Sequence, residues 1–168
     1  MISVTEAKKD KLFYVVANLV IVDVGKQKVL LLKRSMREKA FPGKWAFAGG
    51  KLEHKDIQQR IEELGVEPLE GVNNVLGELA QREAKEECGL EVSSDGSKIL
   101  KNKVFIRPDN VPVMMVSIYG EYVSGEVVLE EDSFDDYAWV DAGDIDDYDR
   151  IDGSEQEILS ALEIARSN

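Results

Sequence analysis

Three glutamates lie close together in the segment REAKEECGL, residues 82 to 90, at positions 83, 86 and 87. In a helix these positions are spaced i, i+3 and i+4, so their carboxylates project from one side. At about 100° per residue, Glu83, Glu86 and Glu87 lie on the same side as the leucines at positions 76, 79 and 90, away from Lys85. Burial of neighbouring carboxylates is costly unless a cation compensates.

Oxygen ligands at this spacing suit a hard divalent ion such as Mg²⁺ or Mn²⁺. The alternative is a solvated acidic stripe in which Glu86 or Glu87 pairs with Arg82 or Lys85. The helical wheel alone leaves both interpretations open.

The apolar periodicity predicts the elements that carry these side chains. A helix runs from Asn73 or Asn74, either of which is a good N-cap, to Cys88, and Gly89 ends it. A second helix is predicted over residues 54 to 65, and a capping box at 154 to 157 begins a third. Strands are predicted at 12–24, 27–33, 98–107, 112–123, 126–130 and 137–140. Mixed strands and helices indicate an α/β fold in a single domain, residues 1 to 168.

Composition excludes several classes of protein. The 168 residues carry a net charge of −12, which disfavours binding to nucleic acid polymers or anionic membranes. No apolar run is long enough to span a bilayer. The lone Cys88 excludes an internal disulfide framework and, with no signal peptide evident, predicts a cytoplasmic protein. Residues 121 to 157 hold fifteen acids and one base, whereas residues 26 to 60 include a basic patch that could hold a phosphate-bearing ligand.

The segment REAKEECGL resembles the second half of the Nudix box, in which Arg-Glu, an apolar residue, any residue, Glu-Glu, any residue, Gly and an apolar residue follow in order. Upstream, WAFAGGKLE resembles the strand, glycine pair and following Glu of that family. DDYAWV with the helix after it resembles the family's C-terminal end. The resemblance covers most of the chain and implies a MutT-like Nudix hydrolase, with a mixed sheet between helices.

The resemblance also implies site residues. Glu83, Glu86 and Glu87, with the carbonyl of Gly50, map to the ligands of Mg²⁺ or Mn²⁺, and Arg82 maps to the residue that holds the glutamates in place. The implied reaction is attack of water on a phosphorus of a small nucleoside diphosphate derivative: a nucleoside triphosphate, a nucleotide sugar or an ADP-ribose type compound. Which carboxylate accepts the proton stays open, and Glu130, Glu131 or Asp132 could supply a distal acid.

The sequence departs from the usual box, which has a Glu six residues after its first Gly and eight before its Arg. Eight residues before Arg82 lies Asn74, and six after Gly50 lies Asp56. We therefore expect an 18-residue insertion, at about 54–71, between the glycine pair and the helix. Glu78, one turn before Arg82, could replace the orienting role of the missing Glu.

The insertion has two interpretations. It either decorates the core as a helical segment, or it forms a lid or a dimer contact that offers Lys55 or Arg60 to a phosphate. Only the dimer contact implies a homodimer. The predicted substrate-binding residues are Arg34, Lys39, Trp45 and Lys51, although Trp45 could equally pack in the core. A rival hypothesis is a Nudix-fold nucleotide-binding or regulatory module whose catalysis is impaired by the split box and Asn74.

Overall fold

A computed structural model describes residues 2–168, in which α-helices cover both faces of a mixed β-sheet. The helices in these residues are α1 (His54–Leu64), α2 (Val75–Cys88) and α3 (Ser154–Ser167). The strands are β1 (Tyr14–Asp23), β2 (Lys28–Arg34), β3 (Trp45–Ala46), β4 (Ala48–Lys51), β5 (Glu91–Ser93), β6 (Ile99–Ile106), β7 (Pro112–Ser124) and β8 (Phe134–Val140). The α/β class and the mixed sheet predicted from the sequence are confirmed.

The centre of the sheet is the parallel pair of β1 and β7. The strand order is β3-β2-β1-β7-β5, while β8 pairs with β2, β4 with β1 and β6 with β7. All pairs other than β1–β7 are antiparallel. In the β1–β4 pair Gly49 lies opposite Asn18 and Gly50 opposite Ala17, so the glycine pair is held in a strand next to the sheet centre.

Side chains of β1 alternate between two hydrophobic clusters, as a strand buried on both faces requires. Ala17, Leu19 and Ile21 pack in the cluster that α2 covers, and Val20 and Val22 pack in the one that α3 covers. The two clusters are called the α2-side core and the α3-side core. The sheet therefore separates the two layers, and the glutamates of α2 belong to the first.

Two local predictions were wrong. Residues 126 to 130 form no strand; instead the N–H groups of Val128 and Glu130 donate to the carbonyls of Cys88 and Glu87, at 3.0 and 2.9 Å. Carbonyls at the end of a helix lack intrahelical donors, so this segment satisfies α2 and adds no strand to the sheet.

The capping box predicted at 154 to 157 is also absent, because Gly153 is the N-cap of α3. The buried Ser154 Oγ and Glu157 Oε1 have no hydrogen-bond partner. None of the helices in residues 2–168 has the length and hydropathy required to cross a bilayer.

Candidate active site

The glycine pair of β4 contacts two of the three glutamates on α2. Gly49 N–H donates a hydrogen bond to Glu87 Oε2 at 2.8 Å. A Cβ atom added to Gly50 would come within 2.6 Å of Glu83 Oε1, which is closer than real Cβ contacts allow. Gly50 is thus required because the Glu83 carboxylate occupies the space of a side chain. The two halves of the predicted motif meet here, although Glu83 lies 33 positions after Gly50 in the sequence.

The three glutamates differ in exposure. The Glu83 side chain is 17% exposed and the Glu86 side chain 57% exposed, while Glu87 is partly buried. Ala80, Ala84 and Cys88 are fully buried, so the buried face of α2 lies nearest to Glu87 on the wheel and farthest from Glu86. The prediction that all three face the apolar side is right for Glu83 and Glu87 and wrong for Glu86, which faces solvent.

The environment of Glu87 disfavours its charged form. Loss of solvation on burial raises the pKa of Glu87 to about 8, against the opposing hydrogen bond from Gly49 N–H. The negative charges of Glu83 and Glu130 raise this pKa further, whereas the positive charge of Arg34 lowers it. The carboxyl groups of Glu83, Glu87 and Glu130 therefore form a local excess of like charge that a bound cation would relieve.

Arg82 binds acids on both sides of the α1–α2 contact. Its NH1 donates to Asp56 Oδ1 at 2.5 Å and its NH2 to Glu83 Oε1 at 2.9 Å. These hydrogen bonds, that to Asp56 first and that to Glu83 second, raise the pKa of Arg82 well above its usual range. Burial alone would raise the pKa of Asp56, but the bonds from Arg82 and from Glu53 N–H hold it below its ordinary value. Arg82 is thus a fixed cation that restrains Glu83.

The partner of Arg82 was not predicted. Glu78, the proposed orienting residue, instead accepts a hydrogen bond from Arg60 NH2 at 2.6 Å. Helical spacing favoured Glu78 because it lies one turn before Arg82, but α1 brings Asp56 closer. The available signal was the position of Asp56, six residues after Gly50, where the family pattern has an acid.

One of the three candidate distal acids lies near the glutamates. The charge of Glu130 acts on Glu87, and its backbone N–H is bonded to the Glu87 carbonyl. Asp132 forms an ion pair with Arg37 instead. Glu131 is exposed and lies in the turn before β8.

The predicted substrate-binding residues are only partly brought together. The charge of Arg34 acts on Glu87, while its Nε donates to the Ala40 carbonyl at 2.8 Å and its NH2 forms an ion pair with Glu38. Trp45 packs edge-on against Tyr148, with ring centroids 5.0 Å apart, and lies on the α3-side core. Lys39 and Lys51 are exposed and form no ion pair among residues 2–168.

The carboxylate oxygens of the α2 glutamates and the carbonyl oxygen of Gly50 are ligands of the kind that a hard divalent cation prefers. Within residues 2–168, no three His, Cys, Asp or Glu side chains are grouped closely enough to hold a metal ion. Glu83 is held by Arg82, and Glu87 by Gly49 N–H. The carboxylate oxygens have the right chemistry for Mg²⁺ or Mn²⁺, and the space left by the missing Cβ of Gly50 accommodates Glu83.

A surface pocket of about 360 Å³ lies beyond the C-terminal end of α2. Leu90, Tyr122, Tyr137 and Trp139 contribute to its lining, with Asp23 from the end of β1 and Lys26 from the β1–β2 turn. It contains none of the predicted catalytic or metal-binding residues. The candidate active site is instead the contact between β4 and α2.

The sequence places the chain in a known family. The family model described as NUDIX domain matches residues 13–162, and the chain belongs to that family. A nucleoside triphosphatase NudI from Klebsiella pneumoniae (strain 342) is 33% identical over 128 residues, which cover 71% of this chain and 77% of that protein. Membership and this similarity make the protein a hydrolase that acts on phosphoric anhydride bonds.

Solved structures share the fold at low sequence identity. A MutT protein from Methanosarcina mazei Go1 superposes with a TM-score of 0.65 at 20% identity, covering 96% of this chain and 100% of that one. An Ap4A hydrolase from C. elegans gives a TM-score of 0.61 at 16% identity, covering 90% of this chain and 98% of that one. At these identities the similarity concerns the fold alone.

Proposed function

We propose that this protein is a nucleotide pyrophosphohydrolase that requires Mg²⁺ or Mn²⁺, with a nucleoside triphosphate as the favoured substrate. The observation that carries the proposal is the contact of Glu83 and Glu87 with the glycine pair, with Arg82 holding Glu83. The similarity to a nucleoside triphosphatase supports the choice among nucleotide substrates. Nucleotide sugars and ADP-ribose type compounds are the other candidate substrates among the small nucleoside diphosphate derivatives.

Glu83, Glu86, Glu87 and the Gly50 carbonyl are the proposed metal ligands. A divalent cation at these oxygens would neutralise the diphosphate and lower the pKa of a bound water. Solvent-facing Glu86 lies on the side from which substrate would arrive. The free Oε1 of Glu87 or the carboxylate of Glu130 would accept the proton from the attacking water.

Among the predicted substrate contacts, Arg34 has the best support, because its charge already acts at Glu87. We propose that it binds a phosphate oxygen of the substrate. Lys39, Lys51 and Trp45 stay predictions, and Trp45 would have to contact the base from the α3 side of the sheet.

A substrate panel tests the proposal. Nucleoside and deoxynucleoside triphosphates, nucleotide sugars and ADP-ribose are incubated with the protein and Mg²⁺ or Mn²⁺, and release of phosphate or pyrophosphate is measured. We expect turnover of at least one triphosphate, loss of activity with EDTA, and a loss of about 100-fold or more in Glu87→Gln and Glu86→Gln. Glu62→Gln, an exposed glutamate of α1, is the matched control and should keep full activity.

The rival function is a binding module without catalysis. The observation that favours it is Asn74, which stands eight residues before Arg82, where the usual box has a Glu. Wild-type protein that binds a nucleoside diphosphate tightly but hydrolyses no member of the panel would establish the rival. Equal activity of wild type and Glu86→Gln would overturn the assignment of Glu86.

A further inference from the structure

Two ion pairs join α1 to α2. In one the base belongs to α2, and in the other the base belongs to α1. Arg82 of α2 binds Asp56 of α1 at 2.5 Å, and Arg60 of α1 binds Glu78 of α2 at 2.6 Å. The acid and the base on each helix are four residues apart, which is about one turn. Asp56, Arg60, Glu78 and Arg82 therefore form a closed set of four charges, called the interhelix charge cluster below.

The rest of the α1 surface contributes little to its attachment. The helix has no buried residue, and its apolar residues Ile57 and Ile61 are only partly covered. Leu64, at its end, is 50% exposed. Apolar burial is the usual source of helix docking energy, so an element without a buried residue depends on its polar contacts.

The four charged side chains of the cluster differ in exposure. The Asp56 side chain is 8% exposed, whereas the side chains of Arg60, Glu78 and Arg82 are 32%, 38% and 39% exposed. The Nε atoms of both Arg60 and Arg82 are buried without a hydrogen-bond partner, which places both guanidinium groups in the helix contact. Exposed ion pairs are usually of little consequence, but in this cluster the Asp56 carboxylate and the Nε edges of both guanidinium groups are shielded from solvent.

We propose that Arg60 is a positioning residue for the reaction: by binding Glu78 it docks α1 on α2, so that Asp56 restrains Arg82 and Arg82 restrains Glu83 beside Gly50. This inference rests on the proposed function. It makes α1 a working part of the active site, although neither Arg60 nor Glu78 contacts the glutamates at 83, 86 and 87. Detachment of α1 would release Asp56 from Arg82 and leave Glu83 without a fixed orientation.

A charge-reversal cycle tests the inference. Arg60→Glu and Glu78→Arg are each made alone and then together, and kcat, KM and Mn²⁺ affinity are measured, the last by electron paramagnetic resonance. Each single reversal should lower kcat by about 10-fold with little change in KM, and should weaken Mn²⁺ binding by a similar factor. The double variant should recover most of both losses, because the pair is restored with its charges exchanged.

Recovery in the double variant will be incomplete for two reasons. In the wild type Glu63 lies 3.3 Å from Arg60 NH1, so Arg60→Glu places two acids close together. Glu78→Arg places a second base one turn before Arg82. Like charges at this spacing repel. Arg60→Lys keeps the charge without reversal and should retain most of the activity. Glu62→Arg, an exposed reversal on the same helix, is the matched control and should leave all readouts unchanged.

Amide hydrogen exchange separates a positioning role from a merely structural one. Exchange in residues 54 to 64 should accelerate in each single reversal and return toward wild type in the double variant. If Arg60→Glu loosens α1 but kcat and Mn²⁺ affinity stay at the wild-type level, docking is structural and the inference is wrong. Unchanged exchange in Arg60→Glu would equally overturn it.

Failure of the proposed function is distinguishable from failure of this inference. If wild type hydrolyses nothing, the proposed function fails, and the Mn²⁺ affinities of the four proteins decide whether Arg60 positions the glutamates. Circular dichroism establishes that each variant is folded. Arg60→Gln replaces Arg60→Glu if the reversal does not fold, with the same losses expected because the ion pair is removed.

Discussion

Asp56 uses its two carboxylate oxygens for different partners. Oδ2 accepts the N–H of Glu53 at 2.8 Å at the start of α1, and Oδ1 accepts NH1 of Arg82 at 2.5 Å. One side chain therefore both begins a helix and restrains the cation that holds Glu83. A carboxylate so placed near the beginning of a helix is also favoured by the helix dipole.

Removal of the Asp56 side chain should therefore lower activity, although Asp56 acts through Arg82 and does not contact the substrate. We expect Asp56→Ala to reduce kcat by about 10- to 100-fold, the usual effect of losing a residue that orients a ligand. Steady-state kinetics with the best substrate of the panel measures this. Asp152→Ala, an exposed aspartate before α3, is the control. Full activity in Asp56→Ala would show that Arg82 needs no partner on α1.

Substitution of Gly50 tests the packing of the Glu83 carboxylate against the glycine pair. The Cβ of Gly50→Ala would compete with the Glu83 carboxylate for one space, so we expect kcat to fall on the order of 10- to 100-fold as Glu83 is displaced. Gly25→Ala is a matched control, since its nearest atom would lie at 3.5 Å, an ordinary contact. Similar kinetics for the two variants would contradict the close packing of Glu83 on Gly50.

At the scale of elements, apolar spacing and glycine positions along the sequence predicted the helices that lie near the site. Apolar spacing and Gly89 predicted α2 to within two residues at its start and correctly at its end. The helical segment at 54 to 65 is likewise confirmed, as α1. The glutamates and the glycine pair were assigned to one site by family resemblance, and the structure brings Glu83 and Glu87 to that pair.

Long-range partners could not be predicted in the same way. The segment 126 to 130 alternates like a strand, but periodicity does not say whether its N–H groups bind a strand or the end of α2. Arg82 and Asp56 are 26 residues apart, so helical spacing could not connect them. The insertion at about 54–71 stays a prediction; extra residues placed after Asp56 would leave this acid at the position of the family's Glu, six residues after Gly50.

The two helices should also differ in local stability. In α2 the buried residues are Gly77, Leu79, Ala80, Ala84 and Cys88, whereas α1 has none. We expect amides of α1 to exchange roughly 10- to 1000-fold faster than the central amides of α2, because local opening of α1 exposes little apolar surface. Native-state hydrogen exchange resolved by segment measures this, with α3 as a second protected helix. Equal protection of α1 and α2 would mean that other contacts hold α1.

At the scale of the whole molecule, the basic and acidic parts of the chain pair with each other. Arg37 binds Asp132, Lys44 binds Asp149, and Lys28 lies 3.9 Å from Asp141. Bases predicted as a phosphate-binding patch are thereby partly neutralised by the acidic stretch of residues 121 to 157. Arg34 is also paired, with Glu38, and it stays the favoured phosphate contact because its charge also acts at Glu87.

Cys88 can report on the opening of the whole α2 layer. It is the one cysteine of the chain and is 0% exposed, with its Sγ donating to the Ala84 carbonyl at 3.0 Å. Burial also raises the pKa of Cys88 to about 11, so the reactive thiolate is scarce at neutral pH. Labelling with a chromogenic disulfide at pH 7.5 should therefore be slower than in urea-unfolded protein by at least about 1000-fold, because reaction requires α2 to separate from the sheet. The Arg60→Glu variant, which loosens α1 alone, should label at the wild-type rate. Rapid labelling of native wild type would mean that α2 opens far more readily than its buried face implies.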